Sequence, residues 1–376
     1  MAEPIRKGGG SLELLGDVDR LVGFAPRAGG TDAERRAARY LAARLEELGR
    51  NAHTEPIRIW PAFAPALLLI AIAGVTGSVL TVSVHLAGFL VVLLAAITAF
   101  GELSGSFFLA RLPFGSRASQ NVSSHENTDK PGRILLVAAY DAPRDAALFR
   151  EQLRRWPTVF FWSLMVILAC ATVRLVGISP SWLTVIQFIP TVVLIAAIPL
   201  FAEAAIADVS TGANWNASGV ATVLDLAARH GGRLEHFDLS VLLVGAGHPL
   251  PLGMRAWLRR HREDLDAETT AVVCVESAGY GTPHYATKEG LVFPARLHPA
   301  LNAIAADIEG ARPFIARSAT AAYAARGARL PAIRISGLGV REYAPDTVDE
   351  EALARTLDFT SELLERIDEQ IGDQLA

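Results

Sequence analysis

Between Ile59 and Gly101 the chain contains no Asp, Glu, Lys or Arg. About 20 apolar residues cross a bilayer as a helix, so this run is long enough for two spans. Ala62–Val82 and Leu86–Phe100 are the natural halves, with Ser83-Val84-His85 as the turn; the second half is short and draws on its flanks. A second such stretch follows Arg154-Arg155. Trp156–Val173 is uncharged, Arg174 interrupts, and Leu175–Ala202 is uncharged again, with a turn at Ser179-Pro180-Ser181. Core helices of water-soluble domains are usually shorter and carry charge on one face. These carry none. The sequence therefore predicts two transmembrane helical hairpins, residues 59–102 and 156–203, which divide the remainder into 1–58, 103–155 and 204–376.

The basic residues flank the hairpins on one side. Arg44, Arg50, Arg58, Arg111, Arg117, Arg144, Arg150, Arg154 and Arg155 lie outside the two turns, which offer only His85 and Arg174. Positive residues stay in the cytoplasm, so a multi-pass cell-membrane protein is expected, with its remaining domain and both termini cytoplasmic. Residues 1–58 carry charge throughout, so no signal peptide is expected there. The lipid bilayer is thus one predicted partner, beside an unspecified protein or peptide. Between Ile59 and Gly101 and between Trp156 and Ala202, Arg174 is the single acidic or basic residue, which gives little support to a transport pathway.

Charge and cysteine content narrow the class further. Lys+Arg (35) nearly balances Asp+Glu (39), which argues against a basic nucleic-acid binder and an acidic disordered tail. Hydrophobic residues make up 51% and charged residues 20%, more apolar than a soluble domain, as the hairpins require. Cys170 and Cys274 cannot build a disulfide framework or a cysteine zinc site.

The remainder alternates strands and helices. Thr31-Asp32-Ala33-Glu34 reads as a capping box opening a helix to about Leu48. Arg133–Tyr140, Leu239–Gly245, Ala271–Glu276 and Pro331–Ser336 read as buried strands. Asn216–His230, Leu252–Arg262 and Asp349–Ile371 read as helices. This predicts an α/β fold with a mostly parallel central sheet flanked by helices. Ligands in such sheets sit beyond the carboxyl ends of the strands, which directs attention to Asp141, His248, Glu276 and the stretch after Ser336. No nucleophile elbow, Walker loop or dinucleotide fingerprint occurs in context.

Those stretches carry a family likeness. Gly212–Ala221 (G-A-N-W-N-A-S-G-V-A) resembles the G-A-N-D-N-A-S-G-V-A segment of the dizinc aminopeptidases, which include aminopeptidase Y and the glutamate carboxypeptidases. Leu135–Asp141, Val241–His248 and Arg341–Thr347 resemble three further motifs of that family, in the same order. The resemblance implies a zinc-exopeptidase-like fold carrying two inserted transmembrane hairpins. It also implies a metal site with its ligands replaced: the first histidine is Ala139, the bridging aspartate is Trp215, and the general base is Gly247. The second glutamate is His248, the strand aspartate is Glu276, and the last histidine is Glu342 or Tyr343. Asp141 and Asn216 are kept and are the candidate binding residues.

A non-catalytic binding or scaffold module follows, with no cofactor expected. The alternative is a metallo-exopeptidase with a rearranged mononuclear zinc site at His248, Glu276 and Glu342 that cleaves peptides. Plainer readings stand beside these: Asp141 as a turn residue, Asn216 as a helix cap, Trp215 as a largely buried filler of the former metal centre. His248 likewise reads as an exposed loop residue, Glu276 as an arginine partner and Glu342 as a solvated charge. The topology makes the first prediction. A reporter fused after Ala376 that is active only in the cytoplasm is expected to be active, and one active only outside it silent; the reverse refutes the charge-based orientation.

Overall fold

A computed structural model describes residues 10–126, 128–178, 180–339 and 344–375. Its centre is a nine-stranded sheet. The strands are β1 (Ala52–Ile59), β2 (Arg117–Ser124), β3 (Gly132–Ala139), β4 (Phe237–Val244), β5 (Thr270–Val275), β6 (Thr282–Glu289), β7 (Ala295–Arg296), β8 (Arg312–Ala316) and β9 (Ala332–Leu338). The order is β1-β2-β4-β3-β5-β9-β6-β7, with β8 paired to β6. The four middle strands β4, β3, β5 and β9 are parallel, as the apolar runs predict. Antiparallel pairs border them, β1 and β2 on one side and β6 on the other.

Alternate residues of these strands face two separate helical layers, because side chains in a strand alternate sides. Ile134, Leu136 and Ala138 pack with α1 (Gly10–Val22), α2 (Asp32–Glu47), α7 (Ser218–His230), α9 (Pro299–Ala306) and α11 (Glu350–Leu375). Leu135, Val137 and Ala139 pack with α8 (Leu252–Arg260) and α10 (Ala321–Gly327). Thr31 caps α2, its hydroxyl accepting from the Glu34 amide at 3.2 Å. The second half of the predicted capping box takes another form. Glu34 accepts from the Gly30 amide at 2.7 Å and is fully buried.

The uncharged runs form four helices: α3 (Phe63–Ser83), α4 (His85–Ser104), α5 (Trp156–Leu175) and α6 (Ser181–Ile206). All four are long and apolar enough to cross a membrane. The first predicted hairpin begins inside β1, which the sequence did not reveal because β1 is polar and largely exposed. The helices pack into one bundle around Leu67, Val92, Phe160, Leu164, Leu194 and Phe201. Gly88 permits the tight α3–α4 turn, since a Cβ there would strike the Thr81 backbone. Inside the bundle a polar group joins both helix pairs. The Gln187 amide donates to Ser78 Oγ (2.8 Å) and Thr81 Oγ1 (2.9 Å), while Arg174 donates to Gln187 Oε1 (3.2 Å) and Thr184 Oγ1 (2.7 Å).

The base of the first helix pair is closed by a buried ion pair. Arg111 Nε meets Glu102 Oε2 at 2.6 Å, with side chains 1% and 0% exposed. Arg111 also donates to the Trp60 carbonyl (2.9 Å) and lies over Phe108, 4.4 Å from the ring centroid. One side chain thus ties the start of α3 to the end of α4. Removing one partner strands a buried charge, whereas replacing both with apolar residues is often neutral or stabilising. Glu102→Ala is expected to cost about 3–5 kcal/mol of stability in detergent, and Glu102→Leu with Arg111→Met to recover most of it. A single variant that melts with the parent would show that this pair does not hold the base.

Candidate functional site

The four parallel strands end around a cleft of about 190 Å³. Four consecutive amides follow β4, the last two of them at the cleft's edge, and each is held by a side chain. Asn121 Oδ1 accepts from Gly245 (3.2 Å), Glu34 Oε1 from Ala246 (2.8 Å), and Asp141 from Gly247 (2.6 Å) and His248 (3.2 Å). Glu34 also accepts from the Ser119 hydroxyl at 2.9 Å. Burial pushes the Glu34 carboxyl up to about 8, and the neighbouring charge of Asp141 adds to the effect. Burial likewise pushes Asp141 up to about 6, against the bonds from the two amides. Asp141, a candidate binding residue in the sequence, positions this loop.

Ala139 and Gly247 lie against each other. A Cβ on Gly247 would collide with the Ala139 methyl and come within 3.0 Å of the Asp141 carboxylate. The two positions that the resemblance gives to a metal ligand and a general base are therefore one small-residue contact.

Trp215 is half-buried and forms a wall of the cleft rather than filling it. Its indole donates to the Ala344 carbonyl at 2.9 Å. Asp346, unassigned by the sequence argument beyond its motif, accepts from the amides of Gly212 (2.8 Å), Asn214 (2.9 Å) and Trp215 (3.2 Å). No side chain caps α7 or the turn before it, so Asn216 is not a helix cap; the Asn214 side chain donates to the Pro345 carbonyl and accepts from the Gly279 amide, at 2.8 Å each, tying this turn to distant segments. Asn216 lines the cleft. Arg27, fully buried, bonds the carbonyls of Tyr140 (2.8 Å), Thr211 (2.6 Å) and Gly212 (2.9 Å), joining the end of β3 to this turn.

His248 and Glu276 both line the cleft. His248 is not an exposed loop residue. Its ring packs edge-on against Phe149 at 5.1 Å, and its Nε2 is buried without a hydrogen-bond partner. Burial, helped by the charge of Arg334, drives its pKa down to about 4. Glu276 is driven up to about 8 by burial, with Arg334 opposing and Glu289 and Asp141 assisting. Glu342 and Tyr343 lie outside the described residues.

Arg334 on β9 was read only as a strand residue, because nothing in sequence distinguishes a buried arginine from an exposed one. It donates to Glu289 (3.2 Å), Ser318 (2.6 Å) and Ser336 (3.2 Å). With the half-buried Arg154 and Arg317 it gives the cleft three guanidinium groups. Zinc needs three or four N, S or O donors. Among the described residues no three His, Cys, Asp or Glu side chains gather to hold a metal. The two donors present, His248 and Glu276, both feel the positive charge of Arg334. The described donors are thus two where zinc needs at least three.

Comparison with solved structures finds similar folds. The glutaminyl cyclase of Tannerella forsythia matches with TM-score 0.55 and 15% identity, over 94% of this chain and 98% of that one. A leucine aminopeptidase precursor from Bacteroides thetaiotaomicron matches with TM-score 0.52 and 14% identity, over 94% and 96%. A Zn-dependent exopeptidase from Parabacteroides distasonis matches with TM-score 0.51 and 12% identity, over 96% and 98%. The α/β fold is thus zinc-exopeptidase-like. No protein-family model matches the chain, and no curated protein matches it.

The raised carboxyls set a pH dependence. Above about pH 7.5 the histidines whose pKa values burial lowers, His125, His230, His248 and His298, are neutral in the folded chain and largely so in the unfolded one. Between there and about pH 8.5, folded Glu34 and Glu276 keep a share of the protons that unfolded glutamates, with an ordinary value of 4.5, have released. Stability therefore falls as pH rises through this window. The melting temperature is expected to drop from about pH 7.5 to about pH 8.5, and Glu34→Gln to flatten the slope. An unchanged slope in that variant would place the Glu34 titration elsewhere.

Proposed function

We propose that this chain is a membrane-embedded protein of zinc-exopeptidase fold whose strand-end cleft binds a ligand without cleaving it. The observation that carries this reading is Arg334. A buried guanidinium pairs with Glu289 at 3.2 Å and lies within electrostatic reach of Glu276, so the cleft already holds a fixed cation of the protein itself. A hydrolytic metal centre needs a cation that polarises a carbonyl and activates water, and a guanidinium keeps its protons. The resemblance places Gly247 where the general base stands and Trp215 where a carboxylate bridges the metals. At pH 7 the cleft carries three guanidinium groups beside a largely protonated Glu276. It suits a carboxylate-bearing partner, such as a peptide, held by bidentate arginine bonds.

The outer face of the helix bundle supports membrane insertion. Val79, Leu86, Leu94, Val185, Phe188 and Ile189 are each 59–67% exposed, and an apolar belt of this kind needs lipid around it. The basic flanks support a cytoplasmic position for the α/β domain.

One observation favours a second reading, the mononuclear peptidase: the buried, unpartnered His248 Nε2. Metal analysis of the purified chain, run beside an aminoacyl-substrate assay, separates the two. The binding reading expects no stoichiometric zinc and no turnover. One zinc per chain that is lost in His248→Ala, together with turnover, would establish the peptidase instead.

A further inference from the structure

A second cavity, apart from the strand-end cleft, lies where the α/β domain meets the base of α3 and α4. It measures about 450 Å³ and is lined by Arg58, Arg255, Arg259, Arg326, Tyr323 and Trp60 among others. No Asp or Glu lines it among the described residues. Glu55, on the same strand as Arg58, is engaged by Arg260 and His261. Arg255 donates to the Ser104 carbonyl at 3.2 Å, yet its Nε is buried without a partner. Burial holds its guanidinium below the ordinary arginine range, and Arg111 and Arg259 add like-charge repulsion. Four guanidinium groups gathered in one groove repel one another until an anion joins them. Planar, multidentate donors of this kind match phosphate.

The position of the groove says which phosphate. Trp60 leads into α3, and Ser104, at the end of α4, forms part of the wall. The loop beyond runs into Leu109, Leu112 and Phe114, each 47–56% exposed. Exposed apolar side chains and a tryptophan at the end of an apolar helix mark the membrane–water boundary. The groove therefore opens at headgroup depth, where basic pockets beside membrane helices take acidic lipids.

We infer that this groove is a binding site for the phosphate headgroup of an anionic membrane lipid. The inference rests on the membrane half of the proposed function and is independent of what the strand-end cleft binds.

The test uses the full chain in detergent, titrated with phosphatidylglycerol, phosphatidylcholine or inorganic phosphate while thermal stability is followed. Phosphatidylglycerol is expected to stabilise the parent at concentrations where the other two do not. At about one kcal/mol per arginine near a membrane surface, replacing Arg58, Arg259 and Arg326 together by Gln is expected to weaken that response about a hundredfold. The exposed Arg259→Gln alone is expected to weaken it about fivefold, which keeps the test decisive if the triple variant does not fold. Equal shifts with phosphatidylcholine, an equal shift with inorganic phosphate, or an undiminished response in Arg259→Gln would overturn the site. Alkaline carbonate extraction of membranes separates the two claims. Release of the parent overturns the membrane reading and the lipid site together, whereas retention with no preference for the anionic lipid overturns the site alone.

Discussion

The amides of Gly245, Ala246, Gly247 and His248 emerge from β4 into a space closed by the bundle base, α2 and the neighbouring strand ends. A buried N–H left unbonded costs as much as a lost hydrogen bond or more, so this loop can exist only where acceptors are supplied from elsewhere. Asn121, Glu34 and Asp141 supply them, from β2, α2 and the end of β3. The arrangement is expensive in desolvation, and the raised pKa values of both carboxyls record that cost. It also fixes the loop against three elements at once. His248 keeps its position because its own amide is held in this way, while the Glu276 amide is held by the Ile335 carbonyl of β9 at 3.1 Å.

A second fixed carboxylate completes the frame. Asp346 gathers the amides of Gly212, Asn214 and Trp215, and Arg27 gathers the carbonyls of Tyr140, Thr211 and Gly212. Between them an anion takes the donors of the turn and a cation takes its acceptors. The cleft's remaining charge then comes mainly from Arg154, Arg317 and Arg334. Charge at the bundle base follows a different rule. There Glu102 and Arg111 neutralise each other in apolar surroundings, while the arginines of α8 and α10 beside them stay without carboxylates in the groove. Balanced charge closes one joint and unbalanced charge leaves the next open to a ligand.

Much of the fold was legible because its strongest signals are apolar and contiguous. The four parallel strands are runs buried on both faces, and the bundle helices are uncharged over a full span length. β1 and β2 were missed because their sequences, A-H-T-E-P-I-R-I and R-A-S-Q-N-V-S-S, carry little apolar alternation. One face of β2 buries Ser119, Asn121 and Ser123, and the first two bond to Glu34 and Gly253, 85 and 132 residues away. Glu34 is the clearest case. It satisfies the local capping pattern, yet its decisive bond is to Ala246, 212 residues away. Local pattern and distant contact both demanded a carboxylate there, and only the first is written in the sequence. Arg334 was invisible for the same reason, since its meaning lies in Glu276 and Glu289 on other strands.

The contact between Ala139 and Gly247 bears on how such a cleft departs from hydrolytic chemistry. In the proposed reading these two positions correspond to a metal ligand and the general base of the aminopeptidase family. They now touch so closely that no Cβ fits at 247 while a methyl stands at 139. A larger side chain at either position must push the loop after β4 away from Asp141, breaking bonds at Gly247 and His248. Overpacking of this kind typically costs about 1–3 kcal/mol, and the freed buried amides add to it. The two small residues therefore support each other. Once one is present, restoring a ligand or base at the other is opposed by packing alone, before any metal is considered. Arg334 opposes the same restoration electrostatically, because a zinc ion beside it would meet a fixed positive charge. Sterics on one side and charge on the other thus oppose the same restoration.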